Sequence, residues 1–191
     1  DLSSMRLLPE IGIVELSSND LAEKAVDYAI ENNGPLYVRL DKGPFPKWNN
    51  ADIDFSKGFR ILKPLSNINL ITNGYMVRKV LEVSELLEKK DIKCGVVDLF
   101  KVKPFPKQFQ KEIISLSRTL VSIEESCKTG GLGTAISEII AQRNHKECRL
   151  KVIAAPDKQF IEYGERDWFH KKYQLDKNGI IERIINFLHL E

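Results

Sequence analysis

The chain has 191 residues, 42% hydrophobic and 29% charged, and its 29 Lys and Arg against 27 Asp and Glu leave a formal net charge of +2. That composition excludes a disordered tail, a collagen-like repeat and a disulfide scaffold, and it allows one sizeable core or two small ones. So small and evenly spread a charge implies no strong attraction to nucleic acid or to an anionic membrane surface.

From the start of the chain, residues 11–16 have strand character, and Ser17 followed by Asp20 suggests a capping box opening a helix through Leu21, Ala25, Tyr28 and Ala29. Gly34 stops that helix, and residues 35–40 form a second strand. About 40 residues rarely bury enough surface to fold alone. Residues 1–43 therefore read as the C-terminal remnant of a larger domain, which must borrow apolar cover from elsewhere. Residues 44–57, rich in Pro and Asn, read as a linker in which Trp48 is a candidate anchor.

From Gly58 onward the pattern becomes alternating strand and helix, the signature of a mostly parallel sheet with helices on both faces. Strands are expected at 59–62, 68–72, 94–99, 119–123 and 150–154, with 59–62 at the edge of the sheet. Helices are expected over 75–89 and near 107–116, after the turn 130–133, and through the closing stripe of Ile180, Ile181, Ile184, Ile185 and Leu188. The expected architecture is α/β: a three-layer α/β/α unit over 58–191, its five-stranded sheet mostly parallel with one antiparallel edge strand, preceded by the partial α/β unit.

Several groups are candidates for chemistry. The turn Thr129-Gly130-Gly131-Leu132-Gly133-Thr134 opens a helix and would present free N–H groups to a phosphate, but it lacks full G-x-G-x-x-G spacing and follows Glu124 and Glu125, so backbone packing is the stronger reading. The two glutamates lie at a strand end, where carboxylates serve as acid and base or, more often, cap a helix or pair with cations. Residues 157–170 gather Phe160, Tyr163, Arg166, Asp167, Trp168, Phe169 and His170 into a stretch that suits either a docking surface or a local core. His170 could serve as a general acid or base, but it has no nearby nucleophile, and a lone His is more often structural or solvated. Arg39 and Lys42, at the end of the second strand, are the better anion site, offering a guanidinium and an ammonium together. Cys94, Cys127 and Cys148 suit reduced thiols in a cytoplasmic protein, and without a C-x-x-C pair the grouping of Cys127, Cys148 and His145 makes a poor zinc site. Apolar runs are short and no charged-then-apolar leader opens the sequence, so neither a membrane span nor a signal peptide is expected.

Taken in order, residues 1–6 with Leu8-Pro9 and then 34–43 resemble the end of the pyrimidine-binding domain of transketolase-like enzymes. Their C-terminal domain is resembled by 67–74 with Met76-Val77, Val96-Val97-Asp98 with Lys103-Pro104, 121–125, 130–135, Phe160 with Tyr163-Gly164, and 173–176. The resemblance implies a thiamine-diphosphate enzyme that also uses a divalent cation, Mg or Ca, and moves a two-carbon ketol unit between phosphorylated sugars. It also implies that the catalytic residues lie upstream of this span, which by itself would bind no cofactor and turn over no substrate. Arg39 and Lys42 would hold the substrate's phosphate, Lys42 at the transketolase position and Arg39 matching an arginine common in deoxyxylulose-phosphate synthases. The remaining domain would support a homodimer or a split-subunit heterotetramer. Alternatives are a deoxyxylulose-phosphate synthase, a 2-oxoacid dehydrogenase β subunit, and a stand-alone assembly or regulatory module.

Overall fold

The computed structural model describes residues 1–42, 53–142 and 148–189. Most of the expected linker, with Trp48, and also His145, lie outside the described residues. Among these residues two sheets are present: a three-stranded one ordered β2-β1-β6 and a five-stranded one ordered β3-β5-β4-β7-β8, built from β1 (Gly12–Glu15), β2 (Leu36–Arg39), β3 (Arg60–Lys63), β4 (Ile68–Thr72), β5 (Cys94–Asp98), β6 (Lys101–Lys103), β7 (Thr119–Cys127) and β8 (Arg149–Ala155).

The larger sheet forms because its strands are apolar on both faces. Leu70, Val96, Val121 and Ile123 face one core, while Ile71, Val97 and Leu120 face the other, the period-two alternation of a strand buried on both sides. The first core is closed by Val80, Val83 and Leu87 of α3 (Met76–Glu88) and by Ile180 and Ile184 of α7 (Lys177–Leu188). The second is closed by Phe109 of α4 (Lys107–Phe109), by Ile113 in the π-helical turn that follows, and by Leu132 and Ile136 of α5 (Leu132–Gln142). Helices thus cover both faces. β4, β5, β7 and β8 run parallel, and β3 is the antiparallel edge strand that the sequence pattern placed there.

Strand order also fixes where a crevice opens. From β4 the chain crosses to β5 on one side, then returns past β4 to β7 on the other, so the connections diverge between β4 and β7. Ligands of open α/β sheets bind beyond the carboxyl ends of the strands at such a switch point. Here those ends carry Asn73-Gly74 and Glu124-Glu125.

The small sheet takes its cover from the rest of the chain. Val14, Leu16 and, on α2 (Asn19–Glu31), Leu21 and Ala25 pack with Phe55 and Phe100, while Leu2 and Ile13 pack with Val102. β6 is hydrogen-bonded antiparallel to β1, so a strand from the later part of the sequence completes the sheet of the earlier part.

Between the sheets lies a buried polar cluster. Arg60 Nε donates to Asp98 Oδ2 at 3.0 Å, and its NH2 group donates to the Ser17 and Ser18 hydroxyls at 2.9 and 3.1 Å. This cluster corrects the expected capping box. Ser18 is the N-cap of α2, accepting from the Leu21 N–H, because the Ser17 hydroxyl is drawn away to donate to Asp98. β7 also runs on to Cys127, beyond the expected end at 123, because after a register shift Cys127 still pairs with Ala155. Among the described residues four short elements escaped the sequence pattern altogether: α1 (Leu2–Leu7), a 3-10 turn at Phe55–Lys57, β6 and α6 (Arg166–Lys172). Among the described residues no helix is long and apolar enough to cross a membrane.

We propose that the boundary between the two units falls within 44–57. Limited proteolysis is expected to cut there first, with the two pieces co-eluting on gel filtration until denaturant separates them. A first cut elsewhere would move the boundary.

Candidate functional site

The carboxyl ends of β1, β2, β4 and β7 converge on one small crevice. Glu15 ends β1, Arg39 ends β2, Gly74 and Tyr75 follow β4, and Glu125 lies near the end of β7; together with Leu16, Leu40, Asp41 and Arg166 they line a cavity of about 50 Å³.

Glu15 is the most constrained group in it. Its side chain is 8% exposed and pairs with the Arg39 guanidinium, while Asn73 Nδ2 donates to its other oxygen at 3.0 Å. Behind it the chain turns at Gly74 with φ +52, and a Cβ on Gly74 would fall on the Glu15 carboxylate. Glycine is thus required there twice over, for the backbone angle and for the close approach. Burial pushes the Glu15 carboxyl up to about 7, against the opposing charge and hydrogen bond of Arg39 and with the repulsion of Glu124 and Glu125 behind it.

Arg39 also donates through Nε to Asp1 Oδ2 at 3.1 Å, and Tyr37 donates its hydroxyl to the same oxygen at 2.9 Å. The structure therefore brings Arg39 into the cluster with two carboxylates already on it. Lys42 stands apart: it is exposed, and no partner for its ammonium is found among the described residues.

Opposite them, α6 supplies Arg166, which bridges Asp41 at 2.7 Å and Glu125 at 2.8 Å and lies 3.9 Å from the centre of the Tyr75 ring. Burial works against the charge on Asp41, but hydrogen bonds from Arg166 and the Lys42 N–H hold its carboxyl below the usual range. Glu125 turns its other contact to His170, whose Nε2 lies 2.7 Å from the carboxylate, while Lys79 contacts His170 Nδ1. An ammonium only donates, so a charged Lys79 donates to Nδ1 and leaves Nε2 to donate to Glu125. Burial draws the Lys79 ammonium below its ordinary pKa. His170 is completely buried rather than solvated, held between Glu125 and Lys79.

The glycine-rich turn offers no vacant anion seat. Glu124 accepts from the Leu132 and Gly133 N–H groups at 2.7 and 2.8 Å and from the Ser126 hydroxyl, so the N-terminus of α5 is capped from within. A Cβ on Gly131 would collide with that carboxylate. Burial raises the Glu124 pKa despite these donors. Glu124 and Glu125 thus act as a helix cap and an ion-pair partner. Of the aromatic stretch, Phe160 packs edge-on against Phe169 and Tyr173, while Ile161 and Tyr163 face solvent. The three cysteines are free, and among the described residues no three His, Cys, Asp or Glu side chains are grouped to hold a metal ion.

Glu15, Asp41 and Asn73 were not foreseen as site residues, and Arg166 only as part of a docking or core stretch. Glu15 did carry a signal, as a charge closing an apolar strand. Arg166 meets Asp41 across 125 residues of sequence, which no local spacing encodes.

An open α/β sheet with helices on both faces and a switch point between β4 and β7 defines a doubly wound domain. Residues 58–180 match the transketolase C-terminal domain, and the chain belongs to that family. It is 27% identical to the 1-deoxy-D-xylulose-5-phosphate synthase of Clostridium tetani, over 98% of this chain and 30% of that protein. It is 28% identical to an apulose-4-phosphate transketolase subunit of Actinobacillus succinogenes, over 95% of this chain and 58% of that one. The solved structure of a split-gene transketolase, described as an inactive β4 tetramer, superposes with a TM-score of 0.85 at 26% identity, over 97% of this chain and 60% of the other. The chain thus spans under two thirds of the length of each of these relatives.

Two outcomes follow from the geometry. Glu124→Ala should destabilise the protein by about 1 to 2 kcal/mol through loss of the cap, with the Leu132 and Gly133 amides losing protection in hydrogen exchange. For Glu15, the folded chain binds the proton more tightly than the unfolded chain. Its contribution to stability is therefore complete below the ordinary value of 4.5 and is lost as pH rises through about 7, at about 1.4 kcal/mol per unit of pKa difference. Chemical denaturation across that window should show a flatter pH slope for Glu15→Gln than for the native chain.

Proposed function

We propose that this chain is the C-terminal portion of a thiamine-diphosphate-dependent transketolase that transfers two-carbon ketol units between phosphorylated sugars. The observation that carries the reading is similarity running end to end through both sheets, to an apulose-4-phosphate transketolase subunit and a split-gene transketolase among others. A domain match confined to the larger sheet would support only the fold.

The residues described do not fit the cofactor. The N–H groups that would cradle a diphosphate at α5 are occupied by Glu124, and among the described residues no three His, Cys, Asp or Glu side chains are grouped for the divalent cation. No step of the reaction is therefore assigned to this chain through thiamine diphosphate. Its proposed share is the substrate's phosphate, held by Arg39 and Lys42, together with assembly. By analogy with the inactive β4 tetramer, the chain alone is inactive and acts as a homodimer or beside a second kind of subunit.

A second reading, deoxyxylulose-phosphate synthase, is favoured by the match to the Clostridium tetani enzyme over nearly the whole chain. Both readings place phosphate at the same strand end, because a guanidinium and an ammonium there make charge-assisted hydrogen bonds to phosphate oxygens.

In the intact enzyme, Arg39→Ala or Lys42→Ala should raise KM for a phosphorylated substrate by about 10- to 150-fold, the equivalent of about 1.5 to 3 kcal/mol per lost charged contact. KM for the unphosphorylated analogue should hardly change. Equal losses on both substrates would overturn the phosphate role.

A further inference from the structure

We propose that Glu15 is the proton-coupled counter-ion of Arg39, so that an anion taking the Arg39 guanidinium binds together with one proton delivered to the Glu15 carboxyl. The inference rests on the reading of Arg39 as a phosphate-binding residue.

As the site stands, Arg39 is committed. Glu15 and Asp1 both hold its guanidinium, and an incoming dianion competes with two carboxylates for the same donors. Asp1 is half exposed and returns to water at little cost. Glu15 has no such exit. It is nearly buried, its second oxygen is tied to Asn73, and Gly74 packs against its carboxylate so closely that no side chain fits between them. Once Arg39 turns to an anion, the charge on Glu15 is left buried without a cation, a state costlier than protonation.

Other surrounding charges push the same way. From β7, Glu124 and Glu125 raise the Glu15 pKa. Across the cavity, the Arg166 guanidinium is taken by Asp41 and Glu125 and offers no substitute for Arg39. Behind Glu125 lie His170 and Lys79, which face Glu125 and each other rather than Glu15. With its carboxyl near 7, Glu15 gains its proton at little cost close to neutral pH. Linkage is reciprocal: if the anion raises the affinity of Glu15 for a proton, the proton raises the affinity of Arg39 for the anion by the same factor.

Sulfate is the probe of choice, because it keeps its double charge across the neutral range whereas phosphate does not. Titrated calorimetrically into the full chain, sulfate should bind about tenfold more tightly near pH 6 than near pH 8. Glu15→Gln should bind equally at both pH values and as tightly as the native chain does at the lower one. His170→Asn should keep the native pH dependence, and Arg39→Met should lose the binding. In the native chain the carboxyl carbon resonance of Glu15 should titrate at higher pH when sulfate is present, a measurement that needs no variant to fold. Equal pH dependence in the native chain and Glu15→Gln, or a Glu15 titration that sulfate does not move, would overturn the coupling and leave Arg39 as a plain anion site. Absence of any Arg39-dependent sulfate binding near pH 6, in the native chain and Glu15→Gln alike, would overturn the phosphate reading and the coupling with it.

Discussion

One short run of chain, residues 94–103, is a strand in both sheets, and the rest of the structure is arranged around that handover. It leaves the large sheet at Asp98, passes Leu99 and Phe100 into the two adjoining cores, and enters the small sheet as β6. Backbone hydrogen bonds clamp the crossing on both sides: Leu99 donates to Thr72 of β4, and Phe100 accepts from Glu15 of β1. The completely buried Asp98 sits at the turning point, where its charge is tolerable only because Arg60, 9% exposed, and Ser17 converge on it. Removing one partner from such a buried pair costs about 3 to 5 kcal/mol, far more than the pair adds over an apolar replacement. The cluster is thus better understood as fixing the relative placement of the sheets than as a source of stability.

That placement decides the electrostatics of the crevice. The five-stranded sheet supplies a wall that ends in Asn73, Gly74, Glu124 and Glu125, and the three-stranded sheet supplies Glu15 and Arg39 opposite. Neither sheet alone makes a balanced site. Glu15 would be a buried charge without Arg39, and Glu125 would lack the pairing that Arg166 gives it from α6. Two guanidinium groups, each shared between two carboxylates, keep the crevice ordered while leaving its carboxylates in excess. Arg39 is thus already satisfied inside the crevice by Glu15 and Asp1.

The large sheet was legible in the sequence because its central strands β4, β5 and β7 are apolar on both faces and α3, α5 and α7 each carry an apolar stripe several turns long. Leu70 and Ile71 show how strong that signal is, two adjacent residues buried in opposite cores. Short elements were not legible. β6 is three residues, Lys-Val-Lys, with a single buried side chain, and α1 is six residues held by a cap from Asp1 and by contacts more than a hundred residues away. The site was half legible. Arg39 and Lys42 stand out as cations closing a strand, and Glu124 as a carboxylate ahead of a glycine-rich turn. Asp41 and Arg166 are one charge among many until the fold brings them together. Ser17 and Ser18 show a finer limit, since either serine fits the cap and only Asp98, 81 residues from Ser17, decides between them.

The glycine-rich turn is held from both sides: Glu124 takes its N–H groups, while Ser3 donates to the Thr129 carbonyl and Arg6 to those of Gly130 and Gly131. Its backbone polarity is thereby spent inside the molecule. An uncapped helix start there would leave N–H groups free to hold a passing anion. Glu124 works as a permanent tenant of that helix start, an anion the chain carries for itself.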